Sequence, residues 1–229
     1  MEIKGVKIDY LGHSGFIFTS GSGKRIAIDP FKISGNVEAV DLILITHSHY
    51  DHCSIEDIQK IVRAGTEIVI PADAQSKIAR VDDVKMEIIE PGDELTFGSV
   101  KVEALPAYNT NKFRSPGEVF HPKREGWMGY VIKFKDVVVY HSGDSDKIPE
   151  MSKLTGYGKH GNEFVALLPV SGTYVMTAEE AAEVASMISP DLAIPMHYGA
   201  GVAGTVEDAE KFVELCKEKG LNAEILKRV

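Results

Sequence analysis

The alternation of apolar and polar residues predicts that the first third of the chain is rich in strands. Residues 6–11, 15–19 and 25–29 follow a period of two and contain many β-branched and aromatic residues, as strands do. Residues 20–23, with the sequence SGSG, supply a turn between the last two. Residues 41–46 form a continuous apolar run, which predicts a strand that is covered on both faces.

Further strands are predicted by apolar runs along the rest of the chain. They are residues 67–70, at least two strands within 86–109 with a turn at Pro91 and Gly92, a hairpin over 128–141 that turns near Lys135 and Asp136, and residues 164–170, 192–196 and 223–226.

Capping signals predict three helices. The pairs that carry them are Ser54 with Asp57, Thr177 with Glu180, and Thr205 with Asp208. Gly220 is a natural end for the last helix. The chain contains no internal repeat or composition break, and its order runs from strands to βαβ-like units. This order predicts one α/β domain over residues 1–229, with sheets covered by helices.

The composition narrows the class of partner. A formal charge of -9 with 44% hydrophobic residues is typical of a globular protein. It argues against a nucleic-acid surface and favours a small-molecule substrate. We expect no membrane association, because the sequence shows neither a signal peptide nor an apolar stretch of about 18 residues. Only Cys53 and Cys216 are present, which favours the reducing cytoplasm, and a homo-oligomer is left open.

The chemistry concentrates just after the apolar run, in His47, His49, Asp51 and His52. In extended backbone, residues i and i+2 project to one side, so His47 and His49 can reach one metal ion. The chain then turns into a helix, which directs Asp51 and His52 towards a second ion. Imidazole and carboxylate ligands together suit zinc, manganese or iron. So many metal-binding side chains within six residues are not typical of surface or core histidines.

This pattern resembles the HxHxDH signature of the metallo-β-lactamase superfamily. Short segments at residues 11–14 (LGHS), 141–144 (HSGD) and 194–197 (IPMH) support the resemblance. The chain looks most like a branch of uncharacterised metal-dependent hydrolases similar to ascorbate-6-phosphate lactonase, and more distantly like the N-acyl-phosphatidylethanolamine phospholipase D enzymes. The resemblance covers nearly the whole chain. It implies a four-layer αββα sandwich with the metal ions at one edge of the two sheets.

The resemblance also implies a role for residues outside the motif. Asp144 would bridge both ions. His197 would complete the ligand set of the second ion, beside Asp51 and His52. The first ion would need a third histidine beside His47 and His49. In many relatives that histidine closely follows the strand that ends here at residue 108. This chain has Asn109 there, so we assign His121 as the third ligand. Asn109 as a weak ligand, or a partly open first site, is the alternative.

Several nearby residues have weaker assignments. His13 would contact substrate or orient a ligand, or is simply a buried histidine. Asp29 would accept a hydrogen bond from a ligand imidazole, or is a turn residue before a proline. His141 would either line the pocket or pack beneath it. Cys53 is expected to be a small buried residue rather than a thiolate ligand, and His160 to be exposed.

A basic loop over residues 109–126 surrounds the third-histidine candidate. It contains Lys112, Arg114, Lys123 and Arg124. A solvated surface loop is the simpler interpretation, and an anion-binding rim over the metal ions is the functional one. Two divalent ions, two carboxylates and one bridging hydroxide leave a net charge of about +1, which suits an anionic substrate.

The predicted activity is hydrolysis by a hydroxide that bridges two divalent ions. Both ions are expected to be Zn²⁺, with Mn²⁺ as the second choice of metal. The predicted substrate is a small, anionic ester, lactone or phosphodiester. Asp51 and His13 are the predicted catalytic residues, and either Asp51 or a metal-bound water would handle the proton. Two alternatives are weighed. A diiron redox protein of this fold is expected to carry Glu where His49 stands, and a non-catalytic metal-binding protein is expected to have lost ligands.

Overall fold

The computed structural model describes residues 1–159 and 161–229. Its first sheet follows the order of the chain. The strands are β1 (Glu2–Ile3), β2 (Val6–Gly12), β3 (Gly15–Thr19), β4 (Arg25–Ile28), β5 (Leu42–Leu44), β6 (Glu67–Ile70) and β7 (Lys85–Ile88). Strands β1 to β4 pair antiparallel, and β4 to β7 pair parallel. The strand ends predicted from the alternation therefore agree with the structure to within about two residues.

The later strands build a second sheet and a small hairpin. They are β8 (Glu94–Phe97), β9 (Val100–Pro106), β10 (Phe113–Ser115), β11 (Glu118–Val119), β12 (Met128–Lys133), β13 (Val137–His141), β14 (Glu163–Pro169) and β15 (Leu192–Met196). The sheet order is β15-β14-β13-β12-β9-β8, and β10 pairs only with β11. Strands β13, β14 and β15 run parallel, so their carboxyl ends share one edge.

Four α-helices are present in the described part of the chain. They are α1 (Ile55–Ile61), α2 (Gln75–Ile78), α3 (Ala178–Ile188) and α4 (Val206–Glu218). Both predicted capping boxes on α3 and α4 are confirmed. Ser54 caps α1 as predicted, but the Asp57 carboxylate does not close a box. It accepts the backbone N–H groups of Lys32 and Ile33 at 2.8 and 2.9 Å, and so fixes the loop after β4 to α1.

Hydrophobic packing arranges these elements in four layers. Ile58 and Ile61 of α1 and Ile78 of α2 pack with the outer face of the first sheet. Helices α3 and α4 pack on the second sheet, and the inner faces of the two sheets share one large buried core. The Tyr130 hydroxyl joins the sheets by donating to the Ile45 carbonyl at 2.7 Å. The predicted αββα sandwich is confirmed.

The predicted strand at residues 223–226 is wrong. In this segment Ala223 forms an isolated bridge with Ala193 of the second sheet, and Arg228 forms another with Tyr10 of the first. The terminal segment crosses from one sheet to the other within a few residues, so it cannot pair continuously along either. No helix in residues 1–159 or 161–229 is long and apolar enough to cross a membrane.

Candidate metal centre

The candidate site lies where the carboxyl ends of strands from both sheets meet. His13 follows β2, Asp29 follows β4, His47 lies after β5, Asp144 lies after β13 and His197 follows β15. Three of these residues have a left-handed backbone, with φ of 54° at His13, 42° at Asp29 and 61° at His197. This conformation is uncommon outside glycine and is often found at functional sites. It turns each side chain back over the sheet edge.

A first group of ligand candidates consists of His47, His49 and His121. One ring nitrogen from each lies within 4.8 Å of the others. His47 Nε2 is 3.0 Å from His49 Nδ1, and His121 Nε2 is buried with no hydrogen-bond partner. The structure therefore brings His121 to the place that the third histidine was expected to occupy.

A second group consists of Asp51, His52 and His197, and His13 joins it. One ligand atom from each of the four lies within 4.8 Å of the others. His52 Nε2 is 3.5 Å from Asp51 Oδ2, and the Nε2 atoms of His52 and His197 are buried without hydrogen-bond partners. This is the second set predicted from the sequence, with His13 added.

Asp144 lies between the two groups. Its Oδ1 is 3.3 Å from His52 Nε2, and its Oδ2 is 3.1 Å from His197 Nε2 and 3.4 Å from His121 Nε2. Gly143 makes this position accessible, because its φ is 62° and a Cβ atom there would lie 2.6 Å from the Met128 carbonyl oxygen. A carboxylate in this place can contact an ion in either group.

Outward-facing ring nitrogens of the histidines are fixed by hydrogen bonds. Asp29 Oδ2 accepts from His52 Nδ1 at 2.8 Å and from the Thr46 hydroxyl at 2.6 Å. Thr46 Oγ1 accepts in turn from His47 Nδ1 at 2.9 Å, and Ser171 Oγ accepts from His197 Nδ1 at 3.0 Å. A neutral ring that carries its proton on the outer nitrogen keeps the lone pair of its inner Nε2 for a metal ion.

Asp29 also lies within 4.8 Å of His47 and His52, which would allow a third metal group. We assign it the role of hydrogen-bond acceptor instead. Its Oδ1 accepts the Thr46 backbone N–H at 2.9 Å, and its Oδ2 holds the two donors described above. With its oxygens occupied by donors, Asp29 matches the prediction that it supports a ligand imidazole.

Asn109 supports His121 rather than replacing it. The Asn109 side-chain oxygen accepts the His121 backbone N–H at 2.8 Å and faces His121 Nδ1 at 2.9 Å. Its Nδ2 donates to the Tyr174 carbonyl at 2.9 Å and to Asp146 at 3.2 Å. Both polar atoms of the Asn109 amide are therefore engaged in hydrogen bonds, and neither is free to bind a metal ion.

His13 contacts the second group through Asp51. Its Nε2 is 3.0 Å from Asp51 Oδ2. Burial lowers the pKa of His13 to about 4. Burial alone would raise the pKa of Asp51, but the hydrogen bond from His13 and the nearby His52 lower it to about 2. At neutral pH a neutral His13 thus donates to an ionised Asp51, so the contact is a hydrogen bond rather than an ion pair.

The pKa values of the other ligand candidates are shifted in opposite directions. Burial lowers the pKa of His47 well below its usual value and that of His121 to about 4. Burial would also lower the pKa of His52, but the Asp144 and Asp29 carboxylates raise it well above its usual value. The pKa of Asp144 lies well below its usual value, because His197 and His52 outweigh its burial.

The donor set fits divalent ions. Buried polar atoms without partners destabilise a folded chain by about 1–3 kcal/mol each. Here the Nε2 atoms of His52, His121 and His197 and Asp144 Oδ1 are all buried, lack hydrogen bonds and converge on the same region. Imidazole-rich sets with one or two carboxylates suit zinc and its neighbours in the first transition row.

Four residues around the ligands were not predicted from the sequence. They are Asp73, Trp127, Asp146 and Ser171. The Trp127 ring packs against His47, His49 and His121 at centroid distances of 5.1, 4.8 and 5.4 Å. Its Nε1 donates to Asp73 Oδ2 at 2.8 Å.

Asp146 anchors the segment that leads to His121. Its Oδ2 accepts the backbone N–H groups of Thr110 and Asn111 at 2.6 and 2.8 Å. Asp146 stands two residues after Asp144, and that spacing is the one signal in the sequence that could have identified it. Ser171 and Asp73 have no such signal.

His141 and Cys53 are not ligands. His141 packs beneath the site, where its Nε2 donates to the Ser14 carbonyl at 2.9 Å and its Nδ1 accepts the Gly143 N–H at 3.1 Å. Cys53 is buried, and burial raises the pKa of its thiol to about 12. His160 lies outside the described residues.

The basic loop does not present a rim to the metal centre. Each of its four cations is paired with a carboxylate, as Lys112 with Glu180 at 2.7 Å, Lys123 with Glu150 at 2.7 Å, Arg124 with Glu125 at 3.4 Å and Arg114 with Glu118 at 3.7 Å. None of the four lines the cavity at the ligands. The simpler interpretation of this loop, as a solvated surface, agrees with the structure.

A cavity of about 190 Å³ opens onto the ligands. Its lining residues are His49, Tyr50, Asp51, Phe120, His121, Asp144, Tyr174 and Val202. A larger groove of about 550 Å³ lies along β9 and the Lys123 turn, but it contains none of the ligand candidates. The smaller cavity is therefore the place where a substrate can meet both groups.

Comparisons with known proteins agree with this geometry. A family model described as a beta-lactamase superfamily domain matches residues 7–197. A UPF0173 metal-dependent hydrolase of Pyrococcus horikoshii is 34% identical over 227 residues, which cover 93% of each chain.

Two solved structures are similar in fold. The crystal structure of a proposed metal-dependent hydrolase from Parabacteroides distasonis superposes with a TM-score of 0.80 at 29% identity, and covers 98% of this chain and 94% of that one. The diiron β-hydroxylase CmlA of Streptomyces venezuelae has a TM-score of 0.71 at 18% identity. The match covers 98% of this chain and 53% of the CmlA chain. At 18% identity it shows a likeness of fold alone.

Proposed function

The chain belongs to the beta-lactamase superfamily and is a metal-dependent hydrolase of the UPF0173 family, and we propose that it uses two divalent ions. The first ion would be held by His47, His49 and His121, and the second by Asp51, His52 and His197. Asp144 would bridge them. Zn²⁺ is the proposed metal, with Mn²⁺ the second choice.

One observation carries this proposal. Ring nitrogens of both groups lie close to Asp144, since Asp144 Oδ2 is 3.4 Å from His121 Nε2 in the first group and 3.1 Å from His197 Nε2 in the second. Both nitrogens are buried and lack hydrogen bonds. A shared carboxylate between two sets of unpartnered donors is the arrangement that a dinuclear centre needs.

Bound ions would supply a water whose pKa falls to about 7 and would polarise the bond that is cleaved. The residues of the chain do the rest. Asp51 accepts a proton through its ionised carboxylate, and His13 holds that carboxylate in place by its hydrogen bond of 3.0 Å. Tyr50 and Phe120 line the cavity beside these groups.

The proposed substrate is a small ester, lactone or phosphodiester. The net positive charge of the centre would tolerate negative charge at the reacting group itself. The basic loop gives no further support for an anion, since its cations are paired. We also propose a cytoplasmic location, which the two free, buried cysteines support.

Metal content and turnover test the proposal together. Protein reconstituted with zinc or manganese should bind two ions per chain and hydrolyse members of an ester, lactone and phosphodiester panel. His49→Ala should lose the first ion and nearly all turnover. Lys123→Ala is the matched control, because that side chain is paired with Glu150 and lies outside the cavity.

Other outcomes identify the alternatives. Two bound ions without turnover across the panel would indicate a non-catalytic metal-binding protein. Iron that cycles between oxidation states in place of hydrolysis would indicate a diiron redox protein. A diiron protein of this fold is expected to carry Glu where His49 stands, and the first group contains His49 instead.

A further inference from the structure

The wall of the cavity opposite the ligands is aromatic. Phe120 and Tyr174 pack edge to face, with centroids 4.8 Å apart and planes at 80°. Tyr50 also lines the cavity, and its ring packs edge to face on Phe31 at 5.8 Å and 78°. Val202 completes this wall. Tyr50 is 64% exposed, so much of its ring is left uncovered by the residues that the structure describes.

This wall carries no full charge. Among the described residues, the charged side chains that line the cavity are Asp51 and Asp144, and both belong to the ligand groups. A basic group close to this wall is Arg114 of the β10–β11 hairpin, whose Cζ is 6.0 Å from the Phe120 ring centroid. Arg114 pairs with Glu118 and does not line the cavity. A substrate charge remote from the metal ions would therefore lose water without gaining a partner.

The size of the cavity limits what the wall can hold. Its volume is about 190 Å³, and an engineered apolar cavity of about 150 Å³ in another protein binds benzene. The cavity is therefore large enough for one six-membered ring. A ring in that place would make the offset or edge-to-face contacts that aromatic pairs favour.

We propose that this wall selects an uncharged, ring-bearing group next to the scissile bond, so that the substrates are esters or lactones with an aryl or similar apolar ring. The inference rests on the proposed hydrolase function. In the reaction, a water oxygen bonds to the carbonyl carbon and the bond from that carbon to the alkoxy oxygen breaks. One water proton leaves with the alcohol and the other with the acid, and no further reactant is needed.

Three acetate esters test the selection by turnover. Benzyl acetate and allyl acetate release alcohols of similar acidity, and 4-carboxybenzyl acetate adds a charge to the ring. For zinc-loaded protein, kcat/KM should be highest for benzyl acetate, and at least about tenfold higher than for the carboxylated ester, because the carboxylate faces an apolar wall. Equal or better turnover of the carboxylated ester would overturn the inference.

Variants test which side chains select. Tyr50→Ala and Phe120→Ala should each lower kcat/KM for benzyl acetate roughly three- to tenfold, as expected for loss of one aromatic contact, and leave allyl acetate nearly unchanged. Phe113→Ala is the control, because Phe113 is on the same hairpin, is 54% exposed and does not line the cavity. A benzyl preference that survives both wall variants contradicts the assignment.

Binding separates this inference from the hydrolase proposal. Saturation-transfer NMR on metal-free protein should detect benzyl alcohol and not 4-carboxybenzyl alcohol, and Phe120→Ala should remove the signal while Phe113→Ala retains it. That pattern supports the aromatic site even if the metal-loaded protein cleaves no ester, a result that would count against the hydrolase proposal alone. No benzyl alcohol signal, or one unchanged in Phe120→Ala, would overturn the aromatic site whatever the turnover.

Discussion

Asn109 and His121 are joined in both directions at the base of the β10–β11 hairpin. The Asn109 N–H donates to the His121 carbonyl at 2.8 Å, and the His121 N–H donates to the Asn109 side-chain oxygen at 2.8 Å. The same oxygen faces His121 Nδ1 at 2.9 Å. One amide thus closes the loop and sets the ring orientation of a proposed ligand.

Asn109→Ala should weaken the first ion without removing a ligand. The His121 ring loses one of two acceptors near its Nδ1 and keeps the Tyr174 carbonyl at 3.1 Å, so we expect a loss of metal affinity near the lower end of the usual range, about tenfold. Competitive zinc titration of the first group measures the effect. Asn111→Ala is the control, since it lies in the same loop but contacts Glu180 instead. Unchanged zinc affinity in Asn109→Ala would show that His121 needs no support.

His13→Gln and His13→Ala should differ. If His13 positions Asp51, glutamine can still donate a hydrogen bond and should retain much of the second ion's affinity, whereas alanine should lower that affinity about tenfold or more. Metal content after dialysis against a weak chelator, together with kcat and KM, measures this. Equal loss in both variants would instead identify His13 as a metal ligand.

Proton release should distinguish the two groups. Ligand nitrogens must be deprotonated to bind metal. At pH 6 the rings of His47 and His121 are already neutral, because burial lowers the pKa of His47 well below its usual value and that of His121 to about 4. His52 keeps its proton there, since Asp144 and Asp29 outweigh its burial and raise its pKa well above the usual value.

Zinc binding to the second group at pH 6 should therefore displace the proton of His52, and should release more protons than binding to the first group. Affinity of the second group should then rise with pH while His52 is protonated. Calorimetry in two buffers of different ionisation enthalpy measures the release, with His121→Ala to isolate the second group and His197→Ala to isolate the first. The same release in both variants would contradict the assignment of the proton to His52.

Trp127 should report the first ion. It is the only tryptophan in the chain, and its ring packs against the three histidines of the first group. Its emission should change as that group takes up one ion, because a cation then lies just beyond the imidazoles. Fluorescence titration with zinc should show the change in His197→Ala and not in His121→Ala. A signal that tracks only the second ion would contradict the grouping.

The sequence predicted the parts of the site that depend on local pattern. The motif from His47 to His52 was predicted from its place after a short apolar strand, whereas the roles of Asp144 and His197 were expected from the resemblance to a known superfamily. The ion pair of Lys112 with Glu180 could not be predicted, because the two residues meet only through tertiary packing. The same holds for Ser171, which reaches His197 across 26 positions in sequence. The failed strand at 223–226 has a similar cause, since its apolar pattern does not reveal that it bridges two sheets.

The hydrogen bond from the His197 N–H to the His13 carbonyl, 2.7 Å long, has a consequence for biosynthesis. It joins the last proposed ligand in the chain to the first residue of the site. During translation the segment with His47, His49 and Asp51 emerges early, but the second group cannot form until the ribosome has released residue 197. Metal acquisition at this centre is therefore expected to follow synthesis of nearly the whole chain, and ribosome-bound fragments that end before β15 should not retain a second ion.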